Sequence, residues 1–137
     1  MSAKAFFDTN VIVYAFSSGD QRGQIAYESL AQGGVVSVQV LNEFTHTARR
    51  KLDMSWPEVM AALGAIRSLC PQIVPVTIGL HEDALAIAER FGYRVFDSLI
   101  IAAAIGSGCK TLYSEDMQNG QIIDGVTILN PFSATLA

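Results

Sequence analysis

Four acids, Asp8, Glu43, Asp97 and Asp116, stand where carboxylates could act together on a metal ion. Carboxylates brought close repel, and each raises its neighbours' pKa until one takes a proton or a cation enters. All-oxygen ligands suit hard ions such as Mg2+ or Mn2+. Such an ion lowers the pKa of water and neutralises charge on a phosphodiester during displacement. The sequence offers no zinc set. Cys70 and Cys109 form no CxxC pair, and His46 and His81 are isolated and read as surface or helix-face residues. His46 follows Glu43 by one helical turn.

Taken singly, most of these acids have plainer readings. Asp97 could be only a helix N-cap, because aspartate is a favoured cap. Asp116 could belong to a turn beside Asn119-Gly120, and Glu43 could be a solvated helix residue. Asp8 stands out. It follows the apolar Ala5-Phe6-Phe7 directly, where a buried charge is costly without a partner. Thr9, Asn10 and Ser114 could orient a carboxylate or a water from the same strand ends, or simply form turns and caps.

The elements that would position these groups alternate between strand and helix. Ala3 to Phe7 reads as a strand, Gln24 to Gln32 as a helix closed by Gly33-Gly34, and Val35 to Val38 as a β-branched strand. A helix follows through about Leu52. Ser55-Trp56-Pro57-Glu58 has the form of a capping box. It opens a helix with Val59, Leu63, Ile66 and Cys70 at helical spacing. Ile73 to Val76 is interrupted by Pro75, which places it at an edge or makes it irregular. Thr77 can cap a helix ended by Gly92, with Leu80, Ala84, Ile87, Ala88 and Phe91 on one face. Phe96-Asp97 opens a helix from Ser98 to about Ile105 that is apolar nearly all round, so it should be central or covered by a partner chain. Thr111 to Tyr113 and Val126 to Leu129 are strands.

Strands separated by helices predict a three-layer α/β/α fold with a central, mainly parallel sheet and right-handed crossovers. In such sheets ligands bind beyond the carboxyl ends of the strands. Asp8 and Asp116 follow strands there, and Glu43 and Asp97 lie early on helices that can start at the same edge. Topology can therefore gather all four.

The bulk properties narrow the partners. With 137 residues, the chain fits a single domain over residues 1–137. Its net charge of −4 argues against holding nucleic acid by broad phosphate neutralisation, although an acidic site itself accounts for much of that count. No export signal precedes the first strand, and the longest apolar run, Leu99 to Ile105, is far short of the roughly 20 residues of a membrane span. Two reduced thiols in a cytoplasmic protein are the expectation.

Four segments taken together carry a resemblance. They are Phe7-Asp8-Thr9-Asn10, then Asn42-Glu43-Phe44, then Phe96-Asp97-Ser98-Leu99-Ile100 before an alanine-rich helix, and last Leu112-Tyr113-Ser114-Glu115-Asp116-Met117 followed by Gly120. In this order the chain resembles the PIN-domain nucleases, and among them the VapC-type toxin ribonucleases of bacterial toxin–antitoxin pairs. The resemblance implies that Asp8, Glu43, Asp97 and Asp116 are the metal-binding acids and that Ser114 is the strand-end hydroxyl. It also implies endonucleolytic cleavage of RNA with Mg2+ or Mn2+, a small antitoxin that blocks the site, and a homodimer.

Basic residues that could hold RNA are fewer. Arg50 is seven residues from Glu43 and so on its helix face, with His46 and Thr47 between; Arg22 is a similar candidate. Ion pairing, solvation or antitoxin contact are other uses for both. Two further readings stay open: a PIN-like binding module without activity, and a phosphatase with Asp8 as nucleophile. Against the second, Asn10 occupies the position where such phosphatases usually carry a second acid.

Overall fold

The strand order β3-β2-β1-β4-β6-β5 puts the first strand at the centre of a six-stranded sheet. The structure is a computed structural model and describes residues 4–17 and 19–133. The strands are β1 (Ala5–Phe7), β2 (Val35–Ser37), β3 (Gln72–Val74), β4 (Thr111–Tyr113), β5 (Ile122–Ile123) and β6 (Val126–Leu129). The helices are α1 (Thr9–Ser17), α2 (Gln21–Ala31), α3 (Val38–Arg50), α4 (Trp56–Leu69), α5 (Ile78–Phe91) and α6 (Val95–Gly106). All strand pairs are parallel except β5 with β6. The crossovers from β1 to β2 to β3 step one way and carry α1–α4. The return from β3 to β4 passes back over β1 and carries α5 and α6. With right-handed connections the two helix sets lie on opposite faces, which gives the three layers.

The sheet reverses direction at β1, so the carboxyl end of β1, beside that of β4, is the topological switch point where open sheets bind ligands. The register pairs Phe7 with Tyr113, so Asp8 and Ser114 leave neighbouring strands side by side. Gly34 permits this closeness on the β2 side. A Cβ there would meet the Ala5 carbonyl oxygen at 2.4 Å and the Phe7 ring at 2.6 Å.

Several boundaries differ from the sequence expectation. α1 is unannounced by periodicity, because the β-branched run Val11-Ile12-Val13 has low helix preference and is held by packing against α2 and α3. α2 begins at Gln21 because the Asp20 side chain accepts the N–H groups of Arg22 and Gly23. β2 ends at Ser37, whose hydroxyl caps α3 by accepting from Val40, so Val38 is helical. β3 ends before Pro75 and lies at the sheet edge, as the proline requires. The Ser55–Glu58 capping box, the Thr77 cap and the left-handed Gly92 are all present. Ala3, read as strand, lies outside the described residues.

α6 is buried from Ser98 to Ala104 by the chain's own elements, packing on α5 and on β2 and β4 to either side of β1. From Ser98 to Ala104 its surface is core, while Val95 and Phe96 in its first turn are exposed. Cys70 and Cys109 are free and buried, and burial pushes the Cys70 thiol up to about 11. His46 and His81 are exposed. Among the described residues no helix is long and apolar enough to cross a membrane.

Candidate active site

Asp8 is the buried centre of the site. It is 7% exposed, directly beyond β1. Its own N–H continues the sheet pairing by donating to the Tyr113 carbonyl at 3.0 Å. Oδ1 accepts the Thr9 N–H at 2.7 Å, and Oδ2 accepts the Ser114 hydroxyl at 2.8 Å. Ser114 is itself fully buried, and its oxygen also accepts the Met117 N–H at 3.3 Å. Burial raises the Asp8 pKa from 3.8 to about 6. The two hydrogen bonds pull it back, and the charges of Asp97 and Asp116 add to the rise.

Asp116 lies in the turn after β4, where Asn10 of α1 donates its side-chain amide to Oδ2. Its residue surface is exposed, yet the carboxylate faces into the group of acids. Partial burial and the charges of Glu115 and Asp97 raise its pKa, opposed by Asn10 and Arg94.

Asp97 enters from the first turn of α6. It is not the N-cap. Arg94 holds that position without a side-chain cap bond, and Asp97 is the third helical residue. Its carboxylate is therefore free of capping and meets Arg94 Nε at 3.5 Å.

Glu43 sits one turn into α3. Its Oε1 accepts the Thr9 hydroxyl at 3.1 Å and the Gln39 amide at 3.4 Å. Gln39 also donates to the Phe96 carbonyl at 3.1 Å, which ties α3 to the residue before Asp97. Thr9 thus serves two acids, with its backbone on Asp8 and its side chain on Glu43.

The acids are gathered but not closed into a cage. Among the described residues no three His, Cys, Asp or Glu side chains form a ready metal-holding group. The donor set still fits a hard divalent cation. It is all oxygen, two of its carboxylates are pushed toward protonation by burial and mutual charge, and one of those is open to solvent. Mg2+ is usually held by one or two carboxylates with water in its other positions, so a closed cage is not required.

Arg22 reaches the rim of this group. Its guanidinium donates to the Tyr14 hydroxyl at 3.2 Å and lies 3.9 Å from Glu115, while Tyr14 donates to Glu115 at 3.0 Å. Arg50 is exposed in the last turn of α3, roughly 10 Å along the helix axis from Glu43. Four contributors were hidden from sequence reasoning: Gln39, Tyr14, Glu115 and Arg94. The Arg94–Asp97 pair has a visible i,i+3 spacing. Tyr14 shares the α1 face of Asn10 at i,i+4, but that spacing means something only once α1 is known to be a helix.

The PIN domain family matches residues 5–119, and the chain belongs to it. Among curated proteins no relative matches. Solved structures do, and VapC toxins are among them. VapC20 of Mycobacterium tuberculosis, described as a Sarcin-Ricin loop cleaving toxin, is 25% identical, with a TM-score of 0.68 over 82% of this chain and 90% of that one. A toxin–antitoxin complex from Klebsiella pneumoniae is 20% identical, with a TM-score of 0.72 over 93% and 98% of the two chains. VapBC2 of Rickettsia felis, bound to a DNA fragment from its promoter, is 19% identical, with a TM-score of 0.65 over 90% and 96%.

Proposed function

We propose that this chain is a metal-dependent endoribonuclease and the toxin of a toxin–antitoxin pair, acting in the cytoplasm. The observation that carries the reading is Asp8, a buried carboxylate at the switch point of a PIN-family sheet, with Asp97 and Asp116 close enough to raise its pKa and Glu43 tied to it through Thr9. One similar structure is described as a Sarcin-Ricin loop cleaving toxin, and another is a toxin–antitoxin complex. These support RNA as the substrate class and an antitoxin as partner. A homodimer rests on the family resemblance alone and draws nothing from the Ser98–Ala104 stretch of α6, which the chain's own core buries.

Asp8, Asp97, Asp116 and Glu43 would hold Mg2+ or Mn2+. When bound, the ion supplies positive charge against a phosphodiester and acidifies water. The chain's own residues do the rest. Ser114 and the Thr9 amide fix both oxygens of Asp8, and Asn10 fixes Asp116. Thr9 and Gln39 hold Glu43 through its Oε1. Arg94, 79% exposed beside Asp97, and Arg22 at the Tyr14–Glu115 rim offer cations to the phosphates on either side of the cut. Arg50, on the Glu43 face of α3 and roughly 10 Å along the helix, offers a cation farther along the strand.

Sequencing RNA ends after induced expression of the parent and of Asp8→Asn tests this reading. New, recurrent ends and growth arrest with the parent only are expected. Identical RNA profiles from the two would remove the reading.

A further inference from the structure

The corner between α3 and α4 carries a second concentration of nucleic-acid-like chemistry, away from the acids. Arg49, Arg50 and Lys51 are consecutive and exposed, and they are three of only nine lysines and arginines in a chain of net charge −4. The α3–α4 connection then brings Trp56, the first residue of α4, beneath Arg49. The guanidinium stands 4.5 Å from the ring centroid and donates to the Met54 carbonyl at 2.9 Å, which locks the stack in place. Trp56 is nonetheless 55% exposed, and Met60, one turn along α4, is 65% exposed.

Packing within the chain covers only part of the Trp56 ring, so more than half of this large aromatic side chain stays in water with no gain from burial. Two carboxylates share the corner, Asp53 and Glu58. Glu58 is committed to the cap, accepting the Ser55 N–H at 2.8 Å. A rigid, solvent-facing indole flanked by cations is what an unpaired nucleobase with its phosphates requires: aromatic stacking for the base and point charges for the backbone. α3 joins this corner to the acids. Glu43, Thr47 and Arg50 follow one face of the helix over roughly 10 Å.

We infer that the Arg49–Trp56 corner is a subsite for single-stranded RNA, where one base stacks on the open surface of Trp56 and Arg50 and Lys51 meet the adjoining phosphates. The subsite holds the strand that runs along α3 from the acids. This inference rests on the ribonuclease reading, and it adds a preference for unpaired over duplex RNA.

Trp56 is the only tryptophan in the chain, so its emission reports on this corner alone. The full chain carrying Asp97→Asn, with Mg2+ present, is titrated with an end-labelled ten-nucleotide single-stranded RNA. Label anisotropy and tryptophan emission are followed together. Binding with quenched emission is expected, and Trp56→Ala in the same background should weaken affinity roughly ten-fold while Trp56→Phe keeps most of it. Duplex RNA of the same sequence should leave the emission unchanged. Rising anisotropy with unchanged emission, and equal affinity in Trp56→Ala, overturns the subsite and leaves the ribonuclease reading standing. Equal quenching by a polyglutamate peptide also overturns it, because charge alone would then suffice. No rise in anisotropy contradicts both readings.

Discussion

The Ser114 hydroxyl donates to Asp8 Oδ2 at 2.8 Å, joining the first residue beyond β1 to the first residue beyond β4. Both groups are buried, so the bond is shielded from water and sets where the Asp8 carboxylate points.

Removing that donor should weaken the site without unfolding the chain. Ser114→Ala withdraws one of the bonds that hold the Asp8 pKa down, so the pKa rises further. The pH at which RNA cleavage reaches half its maximum should move upward. The Mg2+ concentration for half-maximal rate should increase roughly ten-fold. Ser114→Thr, which keeps the hydroxyl, should recover part of both. A pH–rate profile of each variant decides this.

Asp8 should also be a source of instability in metal-free protein. Its folded pKa of about 6 lies above the ordinary 3.8. The stability it contributes is therefore complete below pH ~4 and is lost as pH rises through 6. The loss is on the order of 2–3 kcal/mol by pH 7.5. Asp8→Asn should raise the melting temperature of metal-free protein at pH 7.5 by a few degrees and have little effect at pH 4. Added Mn2+ should stabilise the parent and not the variant. Thermal melts at the two pH values, with and without the ion, provide the comparison.

Gly34→Ala should destabilise strongly. The new Cβ would press on the Ala5 carbonyl and the Phe7 ring, neither of which can retreat from the centre of the sheet. A cost of about 3 kcal/mol is expected in denaturant titration, at the upper end of overpacking effects.

Ser98→Ala should do the opposite. The Ser98 hydroxyl is fully buried and has no hydrogen-bond partner among the described residues, so its removal relieves a desolvation cost. A gain of about 1 kcal/mol with cleavage unchanged is expected. Lost cleavage would instead give this hydroxyl a role beside Asp97.

Much of this architecture was legible in the sequence because local chemistry declares it. Ser55 with Glu58, Thr77, Gly92 and Pro75 each mark a boundary by a cap, a left-handed turn or a missing donor. α1 was hidden because its β-branched residues are stabilised by packing that only the folded chain supplies. The β5–β6 hairpin is marked by a local signal. Asp124 and Gly125, both at positive φ, form the tight turn that an Asp-Gly pair favours. At the site, order and neighbours pointed to four acids, and the fold places all four around the end of β1. Their supports were not legible, since Gln39 and Tyr14 acquire meaning only through contacts with Phe96 and Glu115, distant in sequence.

On the proposed function, cleavage requires both a divalent ion and the acids around β1. The direct measurement is single-turnover cleavage of one labelled RNA, identified from the mapped ends, by the purified parent and by Asp97→Asn, each with Mg2+ and with EDTA. Product is expected only from the parent with Mg2+, with a rate lower by about 100-fold or more in the other three reactions. Equal cleavage by Asp97→Asn, or by the parent in EDTA, would contradict it.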